Sequence, residues 1–162
     1  MNKYSPRVSY LIAFMVIAIM LGITLYLQNF EGFIPCPLCI LQRIALGILG
    51  ILFFVGFIFN PKKAGNIFLS ILAGLFALSG AFLSGRQVWL QHFPDKNADC
   101  GASLQYLIRA LPVDQVLSKI LHGTAECAQK GWEFLHLSLA EWSLICFVGF
   151  FIFCLLQIKR SF

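Results

Sequence analysis

A chain of 162 residues that is 59% hydrophobic and only 12% charged, with a mean hydropathy of +0.83, is too apolar for a soluble domain, where about a quarter of residues carry charge. The formal net charge of +5 does not point to nucleic acid, because the basic side chains sit at the ends of apolar runs and form no single patch. Four runs reach the roughly 20 residues that a helix needs to cross a bilayer, and little chain remains for a separate soluble domain. The reading is an all-α integral membrane protein: one membrane domain over residues 1–162, built as a four-transmembrane-helix bundle.

The first run, residues 8–27, is uncharged and follows Lys3 and Arg7. That flank resembles a signal peptide. The apolar stretch is longer than an h-region and no A-x-A-like site follows, so it reads as a retained helix. A short loop over residues 28–37 leads to Cys36-Pro37-Leu38-Cys39. Proline is favoured at the first helical position, which predicts that Cys36 stands at the N-cap of the second helix and faces water and loop partners. Cys39 then lies one turn inside, where the helix dipole favours a thiolate.

The second run, 38–59, carries Arg43 four residues beyond Cys39, on the same helical face. A cation one turn from a thiol favours its thiolate and is able to hydrogen-bond an acceptor's carbonyl oxygen. The competing reading of Arg43 is an arginine that snorkels to the interface. Asn60-Pro61 breaks the helix and Lys62 and Lys63 follow. The third run, 64–90, holds Arg86 near its end and Trp89 at a position suited to the aromatic belt.

Residues 91–136 form the only long polar segment and hold Cys100 and Cys127. Leu104, Leu107, Ile108 and Leu111 recur at helical spacing, as do Val113, Val116, Leu117, Ile120 and Leu121 beyond Pro112. This predicts a long outer loop carrying short amphipathic helices that either lie on the bilayer or cap the bundle. The last run, 137–158, has Glu141 near its start; its Cys146 and Cys154 read as small packing residues.

Charge sets the orientation. Lys3, Arg7, Lys62, Lys63, Lys159 and Arg160 flank the helices on one side, and all seven acids fall between the first helix and the start of the last. The positive-inside rule puts both termini in the cytoplasm and the loops 28–37 and 91–136 outside, in an oxidising compartment where disulfides persist. Cys100 and Cys127 alone are compatible with a plain stabilising disulfide. A tight ring closed by Cys36 and Cys39 is seldom a staple. Metal binding is disfavoured, since His92 and His122 lack a zinc spacing relative to the CxxC.

Cys36-Pro37-Leu38-Cys39 followed by Gln42-Arg43 resembles the CxxC and quinone-side arginine of the DsbB family of bacterial disulfide-forming membrane oxidoreductases. Arg86-Gln87-Val88-Trp89-Leu90-Gln91 and Cys127-Ala128 through Trp132-Glu133-Phe134-Leu135 are similar to that family too, and the likeness extends over nearly the whole chain. The family includes the DsbI branch, which has a dedicated thioredoxin-like partner.

The resemblance implies a multi-pass protein of the bacterial inner membrane with periplasmic cysteines. It implies a DsbA-like periplasmic partner that attacks a Cys100–Cys127 disulfide at Cys100. Cys127 then attacks Cys36, Cys39 leaves beside the quinone, and Arg43 steadies the charge. Electrons end on ubiquinone or menaquinone. Such a partner is a strong oxidant, near about −120 mV, so only a much more positive acceptor reoxidises it. Two other classes compete: a quinone reductase similar to vitamin K epoxide reductases, which usually place the loop pair before the CxxC, and a membrane protein whose disulfides are purely structural.

Overall fold

The computed structural model of the protein describes residues 6–30, 36–93, 127 and 133–161. Four helices account for nearly all of these: α1 (Pro6–Phe30), α2 (Pro37–Phe59), α3 (Lys63–His92) and, after a small hairpin, α4 (Leu139–Ser161). Each is long and apolar enough to cross a membrane. The chain is thus an all-α multi-pass membrane protein. The amphipathic helices expected between residues 104 and 121 lie outside the described residues.

The helix ends have local causes. Pro37 occupies the first turn of α2, and Cys36 is the N-cap, its sulfur accepting the Cys39 N–H at 3.4 Å. At the other end Asn60 takes a left-handed conformation (φ 40°) and returns its N–H to the Gly56 carbonyl at 3.1 Å, with Pro61 behind it. The expected start of the last helix at residue 137 needs correction. Residues Glu133–Phe134 (β1) and Leu137–Ser138 (β2) pair antiparallel, with Phe134 opposite Leu137, and the helix begins at Leu139. Ser138 and Glu141 form a reciprocal capping box: Ser138 N–H donates to Glu141 Oε2 at 2.6 Å and Glu141 N–H to Ser138 Oγ at 3.3 Å.

Hydrogen bonds at the two ends establish an up-down-up-down bundle. At one end Tyr10 Oη donates to Asn66 Oδ1, Asn66 Nδ2 to Ser161 Oγ at 2.6 Å, and Arg7 Nε to the Phe57 carbonyl at 3.1 Å. The starts of α1 and α3 therefore meet the ends of α2 and α4. At the other end Arg43 reaches α1, and Ser138 Oγ donates to Gln91 Oε1 at 2.7 Å.

The core between these ends holds Tyr10, Ile17, Leu49, Phe53, Ala77 and Phe147. Ile12, Ile19, Ile51, Phe68, Phe82 and Ile152 point outward, as the lipid-facing side of a bundle requires. Lipid tails are as apolar as leucine, so close packing rather than water exclusion holds the helices together. Ala73, Ala77, Gly80 and Ser84 give α3 a small-residue face, and α3 and α4 form the most extensive helix pair. Gly80 is required there, since a Cβ would stand 2.2 Å from Phe147 Cε1. α1 packs on α2 and α2 on α3, while α1 and α4 touch little and leave a seam.

Candidate redox site

The site lies at the end of the bundle where α2 begins. Cys36 Sγ is 3.1 Å from Cys39 Sγ, and both are free thiols. Cys127 joins them, packed with Cys36, Leu38 and Leu90 in a small cluster that also includes Cys39. Three of the four expected cysteines are therefore in one place. Cys100 lies outside the described residues.

The expectation that Cys36 faces water is overturned: it is only 3% exposed. Cys127, Leu38 and Leu90 cover it, so the N-cap position opens onto packed sulfur and leucine rather than solvent. The Cys127 sulfur beside it, then Cys39 and burial, push the Cys36 thiol above its ordinary range. A thiol of raised pKa is a poor leaving group in disulfide exchange.

The expected contact of Arg43 with Cys39 is also revised. The guanidinium donates to Gln28 Oε1 and, at 3.1 Å, to the Thr24 carbonyl, both on α1. The i+4 spacing shares a face with Cys39, but the long side chain reaches sideways across the α1–α2 contact. The polar neighbour of Cys39 is instead Gln87 of α3, whose Nε2 lies 3.1 Å from Cys39 Sγ. Gln42 Nε2 donates to Gln87 Oε1 at 2.7 Å, and Ser143 Oγ of α4 donates to Gln42 Oε1 at 2.9 Å. Gln42 and Gln87 are both buried. Neither had been singled out as a site residue. The available signal was an amide within an otherwise apolar run, which is costly in hydrocarbon unless paired.

Beside this network the α1–α4 seam opens into a cavity of about 450 Å³ lined by Met20, Ile23 and Thr24 on one side and Trp142, Ser143 and Cys146 on the other. A second space of about 320 Å³ continues along the seam from Cys146 toward Ser9. The first is of the size that small-molecule sites occupy, roughly 300–1,000 Å³. Its walls are apolar, and its polar points are the Thr24 and Ser143 hydroxyls. One wall is tied to Arg43 through the Thr24 carbonyl. Thr24 Oγ1 already donates to the Leu21 carbonyl at 3.0 Å and Ser143 Oγ donates within the bundle, so the space suits the apolar body of a ligand.

His92 stands away from the sulfurs; its Nδ1 is 3.0 Å from the Val88 carbonyl and its Nε2 is 4.0 Å from Glu141 Oε1. Trp89 is exposed and stacks near Phe93 with centroids 4.8 Å apart, as an interfacial pair would.

A family model described as "Disulfide bond formation protein DsbB" matches residues 6–157. Disulfide bond formation protein B of Stutzerimonas stutzeri is 42% identical over 161 residues, covering 99% of each chain. Disulfide bond formation protein B 1 of Pseudomonas aeruginosa is 41% identical over 157 residues, 96% of each. The corresponding protein of Hahella chejuensis is 41% identical over 145 residues, 89% of this chain and 88% of its own.

Proposed function

The chain belongs to the DsbB family of disulfide bond formation proteins, and from that premise we propose that it reoxidises a DsbA-like periplasmic thiol oxidoreductase and delivers the electrons to a membrane quinone, ubiquinone or menaquinone. The whole chain acts as one unit in the bacterial inner membrane, with cytoplasmic termini and periplasmic cysteines; the clustering of bases beside the termini and the 60–63 turn supports that orientation.

The observation that carries this reading is the packing of both Cys127 and Cys39 against Cys36. A sulfur with two others beside it is able to exchange its disulfide partner without moving far. The partner's thiolate attacks Cys100 of a Cys100–Cys127 disulfide, and a partner–Cys100 bond replaces it. The freed Cys127 thiolate attacks Cys36 of the Cys36–Cys39 disulfide. A Cys127–Cys36 bond forms and Cys39 leaves with the electron pair. The partner's second thiol displaces Cys100 and leaves with its own disulfide closed. Cys100 as thiolate then displaces Cys36 from Cys127, which restores the loop disulfide and leaves Cys36 and Cys39 reduced.

Met20, Ile23 and Trp142 would hold the ring and tail of a quinone in the seam, where it would supply the acceptor for the two electrons and two protons of that dithiol. Arg43 holds Gln28 and the Thr24 carbonyl of α1, and Thr24, Met20 and Trp142 line the cavity.

The test is partner-dependent quinone reduction by the full chain purified in detergent. A reduced thioredoxin-fold partner and a soluble ubiquinone or menaquinone analogue should together give turnover, and either alone should give none. Absence of turnover with both quinone classes, by a protein that retains its helical signal, overturns the reading.

A further inference from the structure

Cys39, Gln87, Gln42 and Ser143 form a line of hydrogen bonds that crosses α2, α3 and α4 inside the bundle. A primary amide has one donor end and one acceptor end, so fixing one amide in such a line fixes the next. Ser143 Oγ stands 2.9 Å from both Gln42 Oε1 and the Ala140 carbonyl, and its single hydrogen serves either acceptor. Gln42 turns its oxygen to Ser143 and donates through Nε2 to Gln87 Oε1 at 2.7 Å. Gln87 presents its N–H end to Cys39 Sγ at 3.1 Å, while its Oε1 lies further from that sulfur, at 3.6 Å, where the Cys39 thiol can donate to it. Both amide donors in the line point toward the sulfur.

The line is also anchored at its far end. Ser84 gives its hydrogen to the Gly80 carbonyl at 2.8 Å and sets its oxygen 3.1 Å from Ser143 Oγ. Gln42, Gln87 and Ser84 are all at least nine-tenths buried. Amides placed so deep are stabilising only when both ends are matched, and here the last donor is matched by a sulfur.

We propose that Gln87 is a catalytic residue that donates its amide N–H to Cys39 when that sulfur leaves as a thiolate, and that Gln42 and Ser143 are positioning residues that hold the donor end of the amide on the sulfur. The inference rests on the reading above in one respect, that Cys39 is the sulfur released. When Cys127 attacks Cys36, the Cys36–Cys39 bond breaks, the Cys127–Cys36 bond forms, and the electron pair stays on Cys39 with no proton transferred. Arg43 turns both of its terminal nitrogens to acceptors on α1. A neutral donor on α3 meets the new charge instead, and keeps meeting it at any pH.

The experiment is a redox equilibrium of the full chain in detergent against glutathione, with the Cys36–Cys39 disulfide and dithiol quantified by mass spectrometry of the peptide that holds both. No quinone and no partner protein is present, so a failure of quinone reduction refutes the proposed function without touching this result. Gln87→Met keeps the length of the side chain and removes the donor. It should shift the equilibrium about tenfold toward the disulfide at about pH 7.5, the scale of one hydrogen bond to a charged group. That shift corresponds to about 30 mV for two electrons. Gln42→Leu never touches Cys39, yet it frees the Gln87 amide to turn and should shift the equilibrium in the same direction by a smaller factor. In acid, at about pH 5, where an ordinary thiol is fully protonated, both shifts should shrink toward zero, because the donor serves only the thiolate. A wild-type equilibrium in Gln87→Met at the higher pH overturns the proposal, and so does a shift that persists undiminished in acid. If Gln87→Met does not fold, Gln42→Leu decides the matter by the same two criteria.

Discussion

Cys127 lies against Cys36 although two helices, α2 and α3, and most of a long polar segment separate them in the chain. The contact places the attacking and attacked sulfurs of the proposed exchange side by side and covers Cys36 from solvent. Cys127→Ser should therefore reduce oxidation of a DsbA-like partner to background while leaving a chemically reduced Cys36–Cys39 pair able to react with quinone. Cys100→Ser should do the same. Stopped-flow measurement of the two half-reactions separates them. Partner oxidation at the normal rate by either variant would place the loop cysteines outside the electron path.

The same contact predicts how Cys36 responds to pH. Cys127, Cys39 and burial raise its thiol above the ordinary range. The thiolate is the species that alkylates, so a raised thiol holds less thiolate at any given pH and reacts more slowly. In the reduced protein, alkylation of Cys36 should stay slow through about pH 8.5, where a free cysteine is half ionised. Cys127→Ala removes the largest cause and should bring the onset down toward ordinary pH. Site-resolved mass spectrometry after timed iodoacetamide exposure reads both. Rapid labelling of Cys36 at neutral pH would mean that the covered position is open in solution.

Orientation is tested by a membrane-impermeant thiol reagent on intact, reduced cells. Because Cys36 is covered, the expected target is Cys100 rather than the CxxC. Labelling of Cys100 only after permeabilisation would invert the topology that the six flanking bases favour.

Much of this architecture was legible in the chain. The four spans were visible because uninterrupted apolar runs of membrane length have few alternative fates. The N-cap role of Cys36 followed from Pro37, whose ring belongs in a first turn. The start of α4 was less visible for two reasons. Leu137 and Leu139 flank Ser138 and extend the apolar run past the capping box that ends it. The hairpin turns on Leu135 and His136, both at positive φ (54° and 64°), where glycine or asparagine would have announced it.

The site divides in the same way. The CxxC follows from local spacing, and its pairing with a distant cysteine was expected. The Gln87–Gln42–Ser143 line was not legible, since it has no period and exists only where three helices cross. The direction of Arg43 was missed because spacing along one helix fixes the face of a Cα, while a long side chain chooses its partner among neighbouring helices.

Helix packing gives a stability prediction that is independent of the chemistry. A methyl group on Gly80 would meet the Phe147 ring at 2.2–2.5 Å. Gly80→Ala should destabilise the α3–α4 pair by about 1–3 kcal/mol, the usual cost of overpacking a filled interface. Phe147→Leu should relieve part of that loss when combined with it. Thermal unfolding in detergent, followed by circular dichroism, measures the cycle. An unchanged midpoint for Gly80→Ala would mean that α3 and α4 stand further apart.

The role of Arg43 is separable from that of Gln87 because Arg43 reaches from α2 to α1, whereas Gln87 reaches Cys39 from α3. Arg43 holds Gln28 Oε1 and the Thr24 carbonyl, and Thr24 lines the seam cavity. Loss of the guanidinium should loosen the α1 wall and leave the sulfurs in place. Arg43→Ala should therefore raise the apparent KM for quinone about tenfold, the scale of a charge-assisted hydrogen bond, with partner exchange at Cys100 little changed. Lysine keeps the charge but lacks the planar fork that spans two acceptors, so Arg43→Lys should fall between the wild type and Arg43→Ala. The glutathione equilibrium of Cys36–Cys39 should move less in Arg43→Ala than in Gln87→Met, since Gln87 is hydrogen-bonded to the Cys39 sulfur and Arg43 is turned to α1. Wild-type quinone kinetics in Arg43→Ala would reduce this arginine to an interfacial anchor between α1 and α2.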